Sequence, residues 1–539
     1  MAIMVGRGAM TNSIEELTGS KLLLVTGSNT TETHPVISLR MKKAVKNGAK
    51  LIVIDPRKIE LTKWASRYIQ IRIGTDIPFY NAVANYIIEN KLYDKEYVDT
   101  RTRGFEELKK HLERYTPEYS AKICGVSVDD IIYTAKEYAA ASPKAAVCYT
   151  VGITEHSCGT HNVQALANLG MLCGNFGRPN AGINPLRGQN NVQGTSDSGS
   201  LPTDLPGYQK IEAPGIVEKF EKIWDAELPR KRGLTKISAM DQMIKGKVKF
   251  LYVVGENTVV SDPNANHAEH ALKSVDFMIV QDIFMTETAK LADLVLPASS
   301  FAEADGTFAN TERRIQRVRP SISTPGNAKT DVEILLSLFK VMGRKHKAEK
   351  PADIWAEMSS TSPLFSGISY ERLENEGGIQ WPCPEFSHPG TPYLHKNQME
   401  SGEAGIFSPV DHIEPAEPTD DEFPFTLSTG RRRSTYHTGT QTGKAKGFDK
   451  LIDQEFVEIN PKDAQELKID ELDVIKVESR RGSVEVKARI SDKSPVGAVF
   501  MSFAFPETTR TNNLTSDAVD FITETPEYKA CAVKLSLIR

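Results

Sequence analysis

Three short turns in the first eighty residues carry side chains fit to hold a nucleotide: Gly27-Ser28-Asn29, Asp55-Pro56-Arg57 and Gly74-Thr75-Asp76. Each follows an apolar run. In a doubly wound sheet, ligands sit beyond the carboxyl ends of the strands, where a small turn admits phosphate and a strand-end Asp bonds ribose or base. The motif returns later as Gly255-Glu256-Asn257 and Gln281-Asp282. Any one of these turns also reads as a plain turn with a helix cap, and it is the repetition that favours a duplicated nucleotide site. The first turn is not GxGxxG, which disfavours an ordinary dinucleotide fingerprint.

A second kind of chemistry lies in NPLRGQNNVQGTSDSG, residues 184–199, where Arg187 and Gln189 stand among amides and glycines. An arginine in such a polar loop offers a planar fork for a carboxylate or oxyanion; the alternative is a solvated loop. RRRSTYHTGTQTG, residues 431–443, and NNLTSDAVDF, residues 512–521, could cradle phosphates with hydroxyls, amides and guanidinium groups, or form exposed basic turns. His156, Cys158 and His161 lack zinc-site spacing, and no metal ligand is assigned among them.

The elements that would position these groups follow from periodicity. Residues 21–57 read as strand, turn, helix from about Val36, and strand: a βαβ unit. A short run at 68–76 precedes a helix at 77–90, with further helices at about 105–114 and 127–141. A strand at 145–152 and a buried helix at 161–174 follow, then a turn-rich stretch at 174–208. The strand-bearing segment 247–264 and the runs 275–282 and 292–297, with helices to about 273 and at 331–343, make a second parallel array. Residues 384–422, rich in Pro, Glu, Gly and Asp, read as a linker. From Phe423 short β-rich runs predict a barrel. The expected fold is therefore α/β, with two Rossmann-like domains at 1–187 and 188–383 and a C-terminal β-barrel at 423–539.

Bulk properties narrow the class. Sixty-six basic against 70 acidic residues give a net charge of −4 over 539 residues, no footprint for nucleic acid or an anionic membrane. Six cysteines (Cys124, Cys148, Cys158, Cys173, Cys383, Cys531) form no CxxC pair, so disulfides are not expected. No run approaches the roughly 20 apolar residues of a membrane span, and MAIMV is too short for a secretory signal. A cytoplasmic location is expected.

The strings GRGAMTNSI, GSNTTETHPV, NPLRGQNNVQG, GIQWPCP, TGRRRSTYHTGTQT and FPETTRTNNLT, in this order along nearly the whole chain, resemble the catalytic subunit of formate dehydrogenases within the molybdopterin oxidoreductases. The resemblance implies two molybdopterin guanine dinucleotides around one molybdenum or tungsten atom, and a barrel of double-psi type. On matching positions Gly27, Ser28, Asn29, Glu32, Asp55, Pro56, Arg57, Gly74 and Asp76 would hold one dinucleotide, and Gly255, Glu256, Asn257, Asp262, Gln281 and Asp282 the other. Thr429, Gly430, Arg431, His437, Asn513, Tyr528 and Lys529 would close over both pterins. Arg187, with Gln189 beside it, would orient formate, which is oxidised to carbon dioxide while electrons leave through iron–sulfur partners.

The family's amino-terminal [4Fe–4S] domain is not matched, nor is its metal-ligating cysteine or selenocysteine with the histidine that follows. This leads to the expectation of a reading frame entered after a selenocysteine codon, with a genuine short start or a cloning truncation as the alternatives, and of at most trace formate oxidation by these 539 residues alone. A non-catalytic subunit of the same fold and a nitrate-type oxyanion reductase are the competing readings.

Overall fold

The strands Leu22–Thr26 and Ala145–Tyr149 are buried along their whole length. Strands apolar on both faces belong at the centre of a parallel sheet with helices on each side. In the computed structural model, which describes residues 1–344, 346–447, 451 and 454–538, that is their place. The sheet runs Arg67–Ile69, Lys50–Ile54, Leu22–Thr26, Ala145–Tyr149, Gly182–Pro185, every neighbour parallel. Alternate side chains part to opposite faces. Leu22 and Leu24 join the core under helices Asp76–Glu89 and Gly159–Leu172, whereas Leu23 and Val25 pack on Ile37 and Met41 of helix Pro35–Lys46.

The chain winds outward in one direction from Leu22–Thr26 and then returns to its other side with Ala145–Tyr149. The crevice between their carboxyl ends is the topological switch point of the sheet, where ligands bind in open α/β folds.

The chain divides into two compact units. The first comprises Met1–Leu186, Val260–Asn266 and Tyr393–Arg539. It therefore holds the five-stranded sheet together with a closed barrel of six strands: Phe425–Gly430, Ala498–Ser502, Phe456–Ile459, Ser483–Ile490, Val474–Glu478 and Cys531–Leu537. Two of its pairings are parallel, Phe425–Gly430 with Ala498–Ser502 and Phe456–Ile459 with Ser483–Ile490. Its interior is filled by Leu427, Val457, Ile475, Val477, Met501 and Val533. Part of the Pro- and acid-rich stretch at 384–422 also belongs here. Gly405–Ile406 pairs in parallel with Thr102–Arg103, and Asn81 and Asn168 bond the carbonyls of Val410 and Ser408.

The second unit, Arg187–Val259 and His267–Pro392, has a parallel sheet of Leu294–Pro297, Phe277–Asp282 and Phe250–Val254. It also has a small antiparallel sheet of Gly306–Ala309, Arg314–Val318 and Ile379–Gln380.

Beyond the packed part of the 384–422 stretch and the helices Ile216–Trp224, Lys236–Ile244, Pro351–Ser360 and Tyr370–Glu376, the structure departs from the sequence reading as follows. The turn-rich stretch contains a strand, Gly182–Pro185, because an edge strand needs only backbone partners and Ala146–Tyr149 supplies them. The run at 68–76 is a strand only over Arg67–Ile69, after which Gly74 turns at φ +80 into the helix. The hairpin at 306–318 was not anticipated.

Candidate active site

The two turns at the switch point touch backbone to backbone. Gly27 has φ +52, and its carbonyl accepts from Gly152 N (3.1 Å) and Thr150 Oγ1 (2.6 Å). A Cβ on Gly27 would stand 2.7 Å from Gly152 C, and one on Gly152 would stand 2.5 Å from Gly27 O. Only glycine at both positions allows this approach. Ser28 is buried and shares a hydrogen bond with Thr30 (3.1 Å), and Asn29 Oδ1 accepts from Thr31 (3.2 Å).

Along the same cleft lie Asp55, Pro56, Arg57, Gly74 and Asp76, so most of the first predicted set converges; Glu32 is not among the lining residues. Asp55 accepts from Arg57 N (2.9 Å), and burial pushes its carboxyl up to about 6 against the pull of the Arg57 charge. Burial likewise raises Asp76. The Arg57 guanidinium is committed elsewhere. It makes a two-pronged bond to Glu458 (Nη2–Oε2 2.6 Å, Nε–Oε2 3.1 Å) and lies 3.8 Å over the Phe500 ring, so it ties the sheet to the barrel.

The barrel supplies the other wall through Thr429, Gly430, Arg431 and Lys529. Thr429 Oγ1 donates to Tyr528 O (2.8 Å). Lys529 Nζ donates to Thr429 O (3.0 Å) and pairs with Glu155 Oε2 (2.7 Å); burial pulls its ammonium down from the usual value. Burial lowers Arg431 too, and its Nη1 has no hydrogen-bond partner among the described residues. Phe503, which the sequence reading did not single out, gathers Arg431 (4.4 Å), His437 (5.6 Å) and Tyr528 (6.0 Å) around its ring.

Tyr528 OH donates to Ser261 O (2.8 Å), and Ser261 Oγ donates to Asp262 (3.2 Å), which places Asp262 in the first unit. Asn513 Oδ1 is a buried acceptor with no partner among the described residues.

In the second unit Gly255, at φ +63, donates through its N–H to Gln281 O (2.8 Å). Asn257 Oδ1 accepts from Thr288 N (3.2 Å) and Oγ1 (3.0 Å). Gln281 Nε2 donates to Asp331 (2.5 Å), Asp282 accepts from Phe284 N (3.2 Å), and Glu256 pairs with Lys236 (3.7 Å). These residues sit at the carboxyl ends of parallel strands, as the turns of the first unit do.

Arg187 belongs to this unit as well. Its N–H donates to Thr311 Oγ1 (2.8 Å) and its Nε to Gln193 Oε1 (3.3 Å); Gln189, two residues on, is half-buried.

Signals for two residues missed in the sequence were present: Thr150 and Gly152 follow the strand Ala145–Tyr149, and the strand-end rule reaches them. His156 Nε2 bonds Gly152 O (3.1 Å), and Cys158 is buried. No group of three or more His, Cys, Asp and Glu placed to hold a metal occurs among the described residues.

The family model for molybdopterin oxidoreductase matches residues 3–341, and that for the molybdopterin dinucleotide binding domain matches 425–532. The chain belongs to the molybdopterin oxidoreductase family. It is 47% identical over 542 residues to the F420-dependent formate dehydrogenase subunit alpha of Methanocaldococcus jannaschii, covering all of this chain and 80% of that one. It is 38% identical over 540 residues to formate dehydrogenase H of Escherichia coli, covering 99% of this chain and 75% of that protein. In fold it is similar to acetylene hydratase from Pelobacter acetylenicus, with a TM-score of 0.80 at 20% identity over 100% of this chain and 80% of the other.

The cleft fits the pterin cofactor of this family. A cofactor that carries phosphates calls for donors and positive charge set in a narrow backbone crevice. The unpartnered Nη1 of Arg431, the buried ammonium of Lys529 and the glycine-only contact at Gly27 provide them.

Proposed function

We propose that this molybdopterin-dependent oxidoreductase is a formate dehydrogenase catalytic subunit. It oxidises formate to carbon dioxide, or runs the reverse, at a molybdenum or tungsten centre held by two molybdopterin guanine dinucleotides. The observation that carries the reading is the concentration of buried positive charge, Arg431 and Lys529, at the switch-point cleft, in a chain whose relatives are formate dehydrogenase alpha subunits.

The residues divide the work. Gly27, Ser28 and Asn29 with the Asp55 turn would hold one dinucleotide; Gly255, Glu256, Asn257, Asp262, Gln281 and Asp282 would hold the other. Thr429, Gly430, Arg431, His437, Asn513, Tyr528 and Lys529 would bond the pterins. Arg187, with Gln189, would take the formate carboxylate in its planar fork, fixing the direction of the C–H bond and stabilising charge as it develops. The bound metal and its pterins supply the acceptor for the two electrons released as formate becomes carbon dioxide and a proton.

Iron–sulfur subunits or an acceptor protein would take the electrons onward, with the subunit working in the cytoplasm. Among the described residues no helix is long and apolar enough to cross a membrane.

The test is metal and nucleotide analysis of the protein expressed from its complete natural gene and purified anaerobically with its partners, together with formate-dependent dye reduction. Molybdenum or tungsten with two guanine nucleotides per chain and formate-dependent reduction is the expected result. Absence of guanine nucleotide, or turnover of nitrate in place of formate, overturns the reading.

A further inference from the structure

Behind Arg187 lies a buried polar chain whose parts come from residues 187–208 and from the distant Trp381, all in the second unit. Arg187 Nε donates to Gln193 Oε1 (3.3 Å). The Gln193 amide nitrogen donates to Asp197 Oδ1 (2.8 Å) and to Tyr208 OH (2.7 Å). Tyr208 OH donates to the same Asp197 oxygen (2.8 Å), and Trp381 Nε1 donates to Asp197 Oδ2 (2.8 Å) across 184 residues of sequence. Gln193 and Asp197 are 1% and 2% exposed and Trp381 is fully enclosed.

The donor count fixes the arrangement. A carboxylate accepts only, and Asp197 receives three donors, so the Gln193 amide must turn its NH2 towards Asp197 and Tyr208. Its carbonyl oxygen then faces Arg187. With the amide reversed, an N–H would meet the guanidinium N–H and Asp197 would face an oxygen, leaving buried groups unsatisfied at a cost of about 1–3 kcal/mol each.

From this geometry we infer that Asp197, acting through the Gln193 amide and braced by Tyr208 and Trp381, is a positioning residue that holds Arg187 by its Nε for anion binding. The inference rests on the proposed role of Arg187 as the formate-binding arginine. It also gives a use to two strings not otherwise joined by function, the NVQGTSD segment after Arg187 and the WPCP segment. Arg187 and Tyr208 are the charged and titratable groups facing Asp197; its remaining partners, Gln193 and Trp381, do not titrate. Burial pushes Asp197 up to about 6, with the Arg187 charge opposing.

The experiment compares Asp197→Asn, Gln193→Met and Arg187→Lys with wild type as holoenzymes. Formate KM and kcat are measured from pH 5 to 8, and formate-induced thermal stabilisation is read alongside. In Asp197→Asn and Gln193→Met, KM rises about ten-fold, the worth of one relayed hydrogen bond, with a smaller change in kcat, and the formate-induced stabilisation shrinks in step. Wild-type KM rises as pH falls through about 6, where Asp197 takes up a proton, and this rise is absent from Asp197→Asn. Gln193→Met leaves Asp197 its bonds from Tyr208 and Trp381, and decides the matter if Asp197→Asn does not fold. If Arg187→Lys raises KM while both network variants keep wild-type KM and pH profile, the positioning role is overturned and the role of Arg187 stands. If Arg187→Lys also leaves KM unchanged, the reading of Arg187 itself fails.

Discussion

Replacing Gly27 by alanine tests the backbone contact at the heart of the cleft. Two costs add. At φ +52 a non-glycine residue pays about 1–2 kcal/mol for the left-handed conformation. Its Cβ would also lie 2.7 Å from Gly152 C and 2.9 Å from Ile153 N, both backbone atoms that cannot rotate away. Overpacking of that kind costs about 1–3 kcal/mol, so Gly27→Ala should lose about 2–5 kcal/mol in all. Two companions separate the terms. Gly152→Ala has the steric part alone, since Gly152 is outside the left-handed region while its Cβ would meet Gly27 O at 2.5 Å. Gly48→Ala has the conformational part alone, at φ +97 with nothing within 4 Å. Thermal unfolding at a fixed scan rate, with nucleotide content of the purified protein, should rank the variants Gly27→Ala, Gly152→Ala, Gly48→Ala from worst to mildest. Only the first two should lose cofactor. If all three unfold alike and retain nucleotide, the two turns do not make the contact on which the cleft depends.

Glu458→Gln removes the buried two-pronged partner of Arg57 and should destabilise the chain by about 3 kcal/mol in urea unfolding; an unchanged midpoint would count against the tie between sheet and barrel. For Asp55 the pH sign is set by its raised value. The folded chain keeps a proton through the window from 3.8 to about 6 that the unfolded chain has lost. Stability therefore falls as pH rises across that window, by up to about 3 kcal/mol. Cofactor-free Asp55→Asn should escape this fall, exceeding wild type above pH 6 and matching it near pH 4 in thermal melts; parallel curves would refute it. All six cysteines are buried, and burial raises Cys124, Cys148, Cys158, Cys173 and Cys531 to about 12. A thiol-titrating disulfide reagent should consequently find none reacting rapidly in the native protein and all six after denaturation.

The local order of elements was legible in the sequence because it depends on near neighbours. An apolar run such as LLLVT fixes a strand buried on both faces, and the periodicity of about 127–141 fixes a helix, which the structure caps at Ser127. The turns Gly27-Ser28-Asn29, Asp55-Pro56-Arg57 and Gly255-Glu256-Asn257 could be assigned to strand ends for the same reason. Propensity missed Gly182–Pro185, since pairing at an edge is set by the partner strand rather than by the four residues themselves.

What the tertiary structure decided is which groups meet. It packed Gly27 against Gly152, turned Arg57 towards Glu458 and Phe500, and set Lys529 beside Glu155. It also joined Arg187 through Gln193 and Asp197 to Trp381, far along the chain. No periodicity encodes such meetings. They follow from the order in which covered strands assemble, and from the requirement that every charge and amide taken out of water find a partner wherever the fold presents one.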